Sequence, residues 1–187
     1  MAELTVSLQP WTETDLPLLV RLNAPGMMTH LGGPETAEQL ATRHRRYVEA
    51  ASLDTTYVFS IIVDPGHLPV GQVAFWERSW REEAVFEMGW SVVPEFHGHG
   101  IGSRGAGLAL ALASQTGKHR FLHAFPSVDN VASNAICRKL GFVLLEECDL
   151  EYPPGHTMRC NSWRFDLAAG QAASSGTRSS DCGGLLQ

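Results

Sequence analysis

Cysteine is scarce and scattered. The four residues Cys137, Cys148, Cys160 and Cys182 include no C-x-x-C pair, which argues against a zinc site or a disulfide-stapled secreted scaffold and fits reduced thiols in a cytoplasm. Long apolar runs are absent too. None approaches the roughly 18 residues of a membrane-spanning helix, and the start Met1-Ala2-Glu3-Leu4 lacks the basic and apolar regions of a secretory leader. Positive charge is in deficit: 14 Lys and Arg stand against 20 Asp and Glu, a formal net charge of -6. A chain so charged does not bind nucleic acid or an anionic membrane through bulk attraction, so a polyanion such as a nucleotide needs a local site. What is present is a hydrophobic fraction of 44% and a charged fraction of 18% over 187 residues. This is one ordinary globular domain, able to bury roughly 70% of its unfolded surface.

The order of elements follows from periodicity and breakers. Leu4 to Leu8 alternates as a first strand. Thr12 or Thr14 caps a helix through about Leu22, which Pro25-Gly26 ends. Pro34-Glu35 opens a second helix, about Thr36 to Ala51, with Arg43, Arg45 and Arg46 expected on a solvated face. Period-two segments then run from Tyr57 to Val63, Val70 to Trp76 and Val85 to Val93, an antiparallel meander turned first at Asp64-Pro65-Gly66. A helix of small residues is expected from about Ile101 to Thr116, a strand from Phe121 to Phe125 and a helix from Asn130 to Leu140. Strands from Val143 to Glu151 and from Met158 to Leu167, turned at Pro153-Pro154-Gly155, complete the chain. The sum is β-α-α-β-β-β-α-β-α-β-β, an α+β arrangement over residues 1–168. From 169 to 187 the composition turns to Ala, Ser, Gly and Thr, which predicts a disordered tail.

The strongest chemical signal is Pro94-Glu95-Phe96-His97-Gly98-His99-Gly100-Ile101-Gly102-Ser103, a glycine loop between a strand and a helix start. Glycines permit positive φ and close approach to a ligand. The first amides of the helix lack intrahelical acceptors and, with the helix dipole, form an anion site to which Ser103 adds a hydroxyl. A diphosphate is the natural occupant. Gly100-Ile101-Gly102-Ser103-Arg104-Gly105 is also a literal G-x-G-x-x-G, so a dinucleotide fold is an alternative. Against it, the motif follows hairpin-joined strands past mid-chain, with too few strand–helix alternations after it for a doubly wound sheet. A tight strand–helix turn is the plainer third reading.

Three ordered segments resemble the GNAT superfamily of N-acetyltransferases. His97-Gly98-His99-Gly100-Ile101-Gly102 is similar to its Gln/Arg-x-x-Gly-x-Gly/Ala loop, with His97 in the place of Gln or Arg. Glu87-Met88-Gly89-Trp90-Ser91-Val92-Val93-Pro94-Glu95 looks like the fourth strand of the ribosomal-protein alanine acetyltransferase branch, the RimJ/RimL type. Asn130-Val131-Ala132-Ser133-Asn134 with Arg138-Lys139-Leu140-Gly141-Phe142 resembles that branch's Asn-x-x-Ser and Lys-Leu-Gly-Phe segment, and Leu31-Gly32-Gly33-Pro34-Glu35-Thr36 is similar to its front. The resemblance covers residues 4 to 167 and implies the GNAT fold, a mixed sheet of about seven strands with four helices. It also implies acetyl-CoA as co-substrate and an amine as acceptor, a protein N-terminus or a small molecule.

By the resemblance, the pantetheine arm enters a gap between the fourth and fifth strands and bonds to backbone around Val92 and Val93. Pyrophosphate takes the amides from Gly98 through His99, Gly100, Ile101 and Gly102 to Ser103. Asn130 and Ser133 flank the cofactor. Arg104, Arg138 and Lys139 either offset its charge or are solvated surface residues. His97 and His99 interact with phosphate or are exposed; as an H-x-H metal pair they lack a third ligand.

Acetyl transfer needs a neutral amine, and an alkylamine near pKa 10 needs a base at neutral pH. Glu87, on the strand leading to the gap with Gly89 and Ser91 on its face, is the candidate, with a salt-bridge partner as the other reading. The proton donor to the leaving thiolate stays open among Ser133, Tyr152, solvent and Cys137. The last occupies the position where many GNAT enzymes place tyrosine, and its thiol packs as readily as it reacts. Trp76, Trp80 and Trp90 either pack the sheet or line the acceptor pocket, which the loops 24–33, 76–83 and 153–157 would shape. The protein is expected as a cytoplasmic monomer, or as a homodimer paired through the edge of the last hairpin. Its rivals are an acyl-CoA-binding module without turnover and an NAD(P)-dependent oxidoreductase.

Overall fold

In the computed structural model, residues 4–169 are described, apart from 31, 152–154 and 156. The expected residue Tyr152, most of the turn before the last strand and the tail lie outside them. The strands are β1 (Thr5–Pro10), β2 (Thr56–Asp64), β3 (Leu68–Trp80), β4 (Glu83–Val92), β5 (Phe121–Ala124), β6 (Val143–Glu151) and β7 (Thr157–Asp166). The helices are α1 (Leu16–Leu22), α2 (Ala37–Ala50), α3 (Ile101–Thr116) and α4 (Val131–Lys139). The order along the chain is the one the periodicity predicts. One sheet holds all seven strands as β1-β2-β3-β4-β5-β7-β6. Every neighbouring pair is antiparallel except β4 and β5, which run parallel at Phe86↔Leu122 and Glu87↔His123. This is the GNAT fold, and it excludes a doubly wound dinucleotide sheet.

Local chemistry sets the element ends. Thr36, rather than Pro34-Glu35, starts α2: its hydroxyl accepts from Gln39 N at 3.3 Å and Gln39 Oε1 accepts from Thr36 N at 2.8 Å, a reciprocal cap. Glu35 is instead held by Asn23 through both backbone groups and pairs with Arg43 at 2.8 Å. Arg43 is therefore not on the expected solvated face; its side chain is 13% exposed, while Arg45 and Arg46 do face water. The strand expected to stop at Trp76 continues to Trp80 and folds back on β4 with Trp80 opposite Glu83. The two residues between them, Arg81 and Glu82, take φ of 51° and 66°. Such a turn suits the strand twist but has no Gly or Asn to announce it.

The sheet is covered on both faces. On β2, Ser60 donates to Asp15 Oδ1 at 2.7 Å at the start of α1, whereas its neighbour Ile61 packs under α3. Alternation along the strand thus assigns α1 and α3 to opposite faces. Helix α3 lies close because its inward residues are small: Ala106, Ala109 and Ala113 are fully buried, and a Cβ on Gly105 would come within 2.7 Å of Ile61 Cδ1. Under it Val73, Phe75 and Phe86 are sealed from solvent, each contributing about 1.5–3 kcal/mol by burial.

Candidate active site

The site grows from the one parallel pair in the sheet. Beyond Glu87 and His123 no further pairing joins β4 to β5. The chain after β5 stays with β7, the partner on its other edge: Val128 N donates to Arg159 O at 3.1 Å and Asn161 N to Pro126 O at 2.9 Å. The two strands therefore part as a fork, with Glu87 and His123 at its apex and the rest of β4 along one prong.

Backbone alternation fixes which groups of that prong face the fork. Val93 N donates to Val70 O at 2.8 Å, and Val93 O accepts from Phe96 N at 3.0 Å. Both polar groups of Val93 are committed within the protein, so of the pair Val92 and Val93 only Val92 offers its N–H to the fork, as does Trp90 two residues earlier. The carbonyl of Val92 accepts from His97 Nε2 at 2.6 Å. His97, an exposed residue, thus braces the loop through one ring nitrogen. His99 donates through Nδ1 to His97 O at 2.9 Å. Among the described residues no group of His, Cys, Asp or Glu is arranged to hold a metal ion.

Beyond the prong lies the glycine loop. Gly98 and Gly100 take φ of +78° and +71°, a region costing other residues about 1–2 kcal/mol. Gly100 is the N-cap of α3 and supplies no capping side chain. The amides of Ile101, Gly102 and Ser103 at the helix start therefore have no intrahelical acceptor and no side-chain cap, and stand open to an anion. Helix α4 runs beside this turn, with Ile136 Cδ1 at 3.1 Å from where a Gly102 Cβ would sit. It brings Lys139 Nζ to 3.2 Å from Ser103 Oγ, so an ammonium stands over the open amides. Arg104 donates to Leu4 O and, within the loop, to His99 O, and Arg138 lies over the Trp163 ring. Of the three cations expected near the cofactor, Lys139 reaches the helix start at Ser103, Arg104 braces the loop at the His99 carbonyl, and Arg138 is held at Trp163.

The other expected residues are placed as follows. Asn130 caps α4, its Oδ1 accepting from Ser133 N at 3.0 Å. Cys137 is wholly enclosed, and burial pushes its thiol up to about 12, so it packs the core and has no path to a reacting thiolate. Glu87 shares a face with Trp76 and makes an ion pair with Arg78. Its side chain is 16% exposed. Burial raises its pKa above the ordinary carboxylate value, while Arg78 and then Trp76 pull it down. The guanidinium of Arg78 also lies over Trp80 and Phe125 at 5.3 and 5.1 Å. Trp80 thus walls this face, and Trp90 packs against the main core.

His123 escaped sequence reasoning. Beside Glu87 at the apex, it is 2% exposed, and its Nδ1 is buried without a hydrogen-bond partner among the described residues. Burial, Arg164 and Arg78 lower its pKa to about 4, so it is neutral at physiological pH. The only sequence signal was a polar residue within Phe121-Leu122-His123-Ala124-Phe125, where alternation does not tell a buried from a solvated face. A cavity of about 480 Å³ opens between the α1–α2 loop, the β5–α4 loop and β7, lined by His30, Ser127, Asp129, Thr157, Met158 and Arg159 among others. Residues of the loop 24–33 and Thr157 line this cavity, most of the turn 153–157 lies outside the described residues, and 76–83 is strand and tight turn.

An anion cradle at the mouth of a fork in a mixed sheet defines an acyltransferase scaffold of the GNAT kind. The sequence match to the Acetyltransferase (GNAT) domain family spans residues 5–143. The chain belongs to that family and is an acetyltransferase. No curated protein matches it in sequence. Solved structures share the fold at low identity. Spermidine N-acetyltransferase from Vibrio cholerae, in complex with CoA and spermine, superposes with a TM-score of 0.72 at 15% identity over 87% of this chain and 96% of that one. The acetyltransferase from Salmonella typhimurium that modifies the N-terminal serine of ribosomal protein L7/L12 gives 0.70 at 19% over 87% and 95%. Aminoglycoside acetyltransferase AAC(6')-Ib, in complex with coenzyme A, gives 0.70 at 19% over 94% and 100%. Among the described residues no helix is long and apolar enough to cross a membrane.

Proposed function

We propose that the protein transfers the acetyl group of acetyl-CoA to a primary amine, a protein N-terminus or a small-molecule amine, by direct attack in a ternary complex. The observation that carries this reading is the set of open amides at the start of α3, with Lys139 beside them, at the mouth of the fork. A diphosphate satisfies those amides, and Val92 N–H faces the fork where an extended thioester arm would lie. The residues present fit the co-substrate at each of these points. The segments around Glu87, Asn130 and Lys139 resemble the ribosomal-protein branch of the family and support an N-terminal amine as acceptor, and the polar cavity between the α1–α2 loop, the β5–α4 loop and β7 suits a hydrophilic amine.

Glu87 is the proton acceptor in this reading. The amine nitrogen attacks the thioester carbonyl carbon, forming the C–N bond, and the C–S bond then breaks. The ammonium proton passes to Glu87, directly or through water, and the departing thiolate takes a proton from Ser133 or solvent. The N–H groups of Trp90 and Val92 are the amides that face the fork and can polarise the carbonyl oxygen. Burial of Glu87 favours this role because it lifts the carboxylate toward the working pH. Cys137 is left out, since its thiol is enclosed.

Release of free thiol from acetyl-CoA, followed with spermine, ribostamycin and an alanine- or serine-initiated peptide, tests the reading. Amine-dependent release with an acetylated product of the expected mass supports it. Stoichiometric retention of acetyl-CoA with no release for any amine would make the protein a binding module.

A further inference from the structure

Of the buried polar groups outside the set described above, Asn134 makes the most contacts to both halves of the cleft. It sits on α4, 2% exposed. Its Nδ2 donates to Asn130 O at 2.8 Å and to Ser127 O at 2.9 Å. Its Oδ1 accepts from Asn161 Nδ2 and from Trp163 Nε1, both at 2.8 Å. Two donors and two acceptor sites are the whole capacity of a carboxamide, so the group is fully satisfied in the interior. Asn130 is the cap of α4, which the reading above puts beside the cofactor, Ser127 lines the cavity that reading gives to the amine, and Asn161 and Trp163 belong to β7. One side chain thus ties together α4, the loop that diverges from β4 and the strand β7, which stays paired along the opposite edge of β5 and that loop.

We propose that Asn134 is a positioning residue that holds the β5–α4 loop against α4 and β7, so keeping the fork open and setting the cofactor wall and the acceptor wall in one register. The inference rests on the acetyl-CoA reading above. Its chemical logic is the polarity of the two halves. The amide nitrogen holds two main-chain carbonyls that flank the cleft, while the amide oxygen anchors to β7 through two redundant donors. Asn134→Asp keeps the anchor and the shape but turns a carboxylate oxygen against both carbonyls. Trp163→Phe removes one anchor donor and leaves Asn161 and both carbonyl contacts in place.

Steady-state kinetics of the full-length protein with acetyl-CoA and its fastest amine separate the cases. N134D is expected to raise KM for acetyl-CoA and for the amine together, each by about tenfold, as small displacements of positioning groups do. W163F is expected to leave both KM values within about twofold while lowering Tm, the behaviour of a contact that only stabilises. If N134D does not fold, Asn134→Ser, which retains one hydroxyl donor, carries the same expectation at smaller amplitude. Wild-type KM values in the folded Asn134 variant, or equal rises in W163F, would overturn the proposal. A wild-type protein that releases no thiol would instead count against the acetyl-CoA reading itself.

Discussion

Replacing Glu87 by glutamine separates a proton acceptor from an ion-pair partner. The substitution keeps the volume and one acceptor oxygen but removes the charge that meets Arg78. Breaking one side of a fully buried pair costs about 3–5 kcal/mol. Here Arg78 is 30% exposed and keeps its packing over Trp80 and Phe125, so the expected loss is about 1–2 kcal/mol, a Tm fall of a few degrees. The kinetic effect is larger. Removal of a general base lowers kcat by about 10²- to 10⁴-fold, with KM for acetyl-CoA nearly unchanged because Glu87 faces away from α3. The pH dependence carries the sign. Burial raises the Glu87 pKa in the folded protein; the active carboxylate is complete above that raised value and is lost as pH falls through it. Wild-type kcat should therefore drop on the acid side, above the ordinary glutamate range, and E87Q should lack that limb. Thiol release measured from pH 5 to 9 for both proteins is the assay. If E87Q turns over at the wild-type rate with the same acid limb, Glu87 is a partner for Arg78 and nothing more.

Three further outcomes follow from the same geometry. Lys139→Gln removes the ammonium beside Ser103 and should weaken CoA binding about 5- to 30-fold in low salt and less at high ionic strength, read by calorimetry. Gly100→Val places a β-branched residue at φ of +71°, so CoA affinity should fall by at least about tenfold as the cradle deforms, with α3 still formed by circular dichroism. Cys137→Ala opens a small void in the core, lowering stability by about 1 kcal/mol while leaving kcat unchanged, because the enclosed thiol takes no part in proton transfer.

Much of this was legible in the sequence where local chemistry decides. Helix α3 falls on the expected residues because small side chains and flanking glycines leave little else for that segment to be. The meander and α4 follow from alternation and from the Asn130 cap in the same way. What was not legible depends on register or on distant partners. Sequence does not distinguish Val93 from Val92, because alternation assigns a strand's hydrogen bonds only once the neighbour's register is known, and here the Val93 amide is held by Val70 O. Arg43 read as solvated because Glu35, its partner, precedes the helix and is held there by Asn23. The turn at Arg81-Glu82 used positive φ without glycine. His123 and Asn134 gain their meaning from β4, β7 and the loops that converge on them, and no spacing along the chain records that convergence.

The central claim is that main-chain amides at the start of α3 hold the diphosphate of acetyl-CoA so that its thioester enters the fork. Calorimetric titration of the folded protein with CoA, beside the same titration of Gly100→Val, tests it most directly. The account predicts one CoA bound per chain and a marked loss of affinity in the variant. Absence of heat with the wild type, or equal affinity in both proteins, would contradict it.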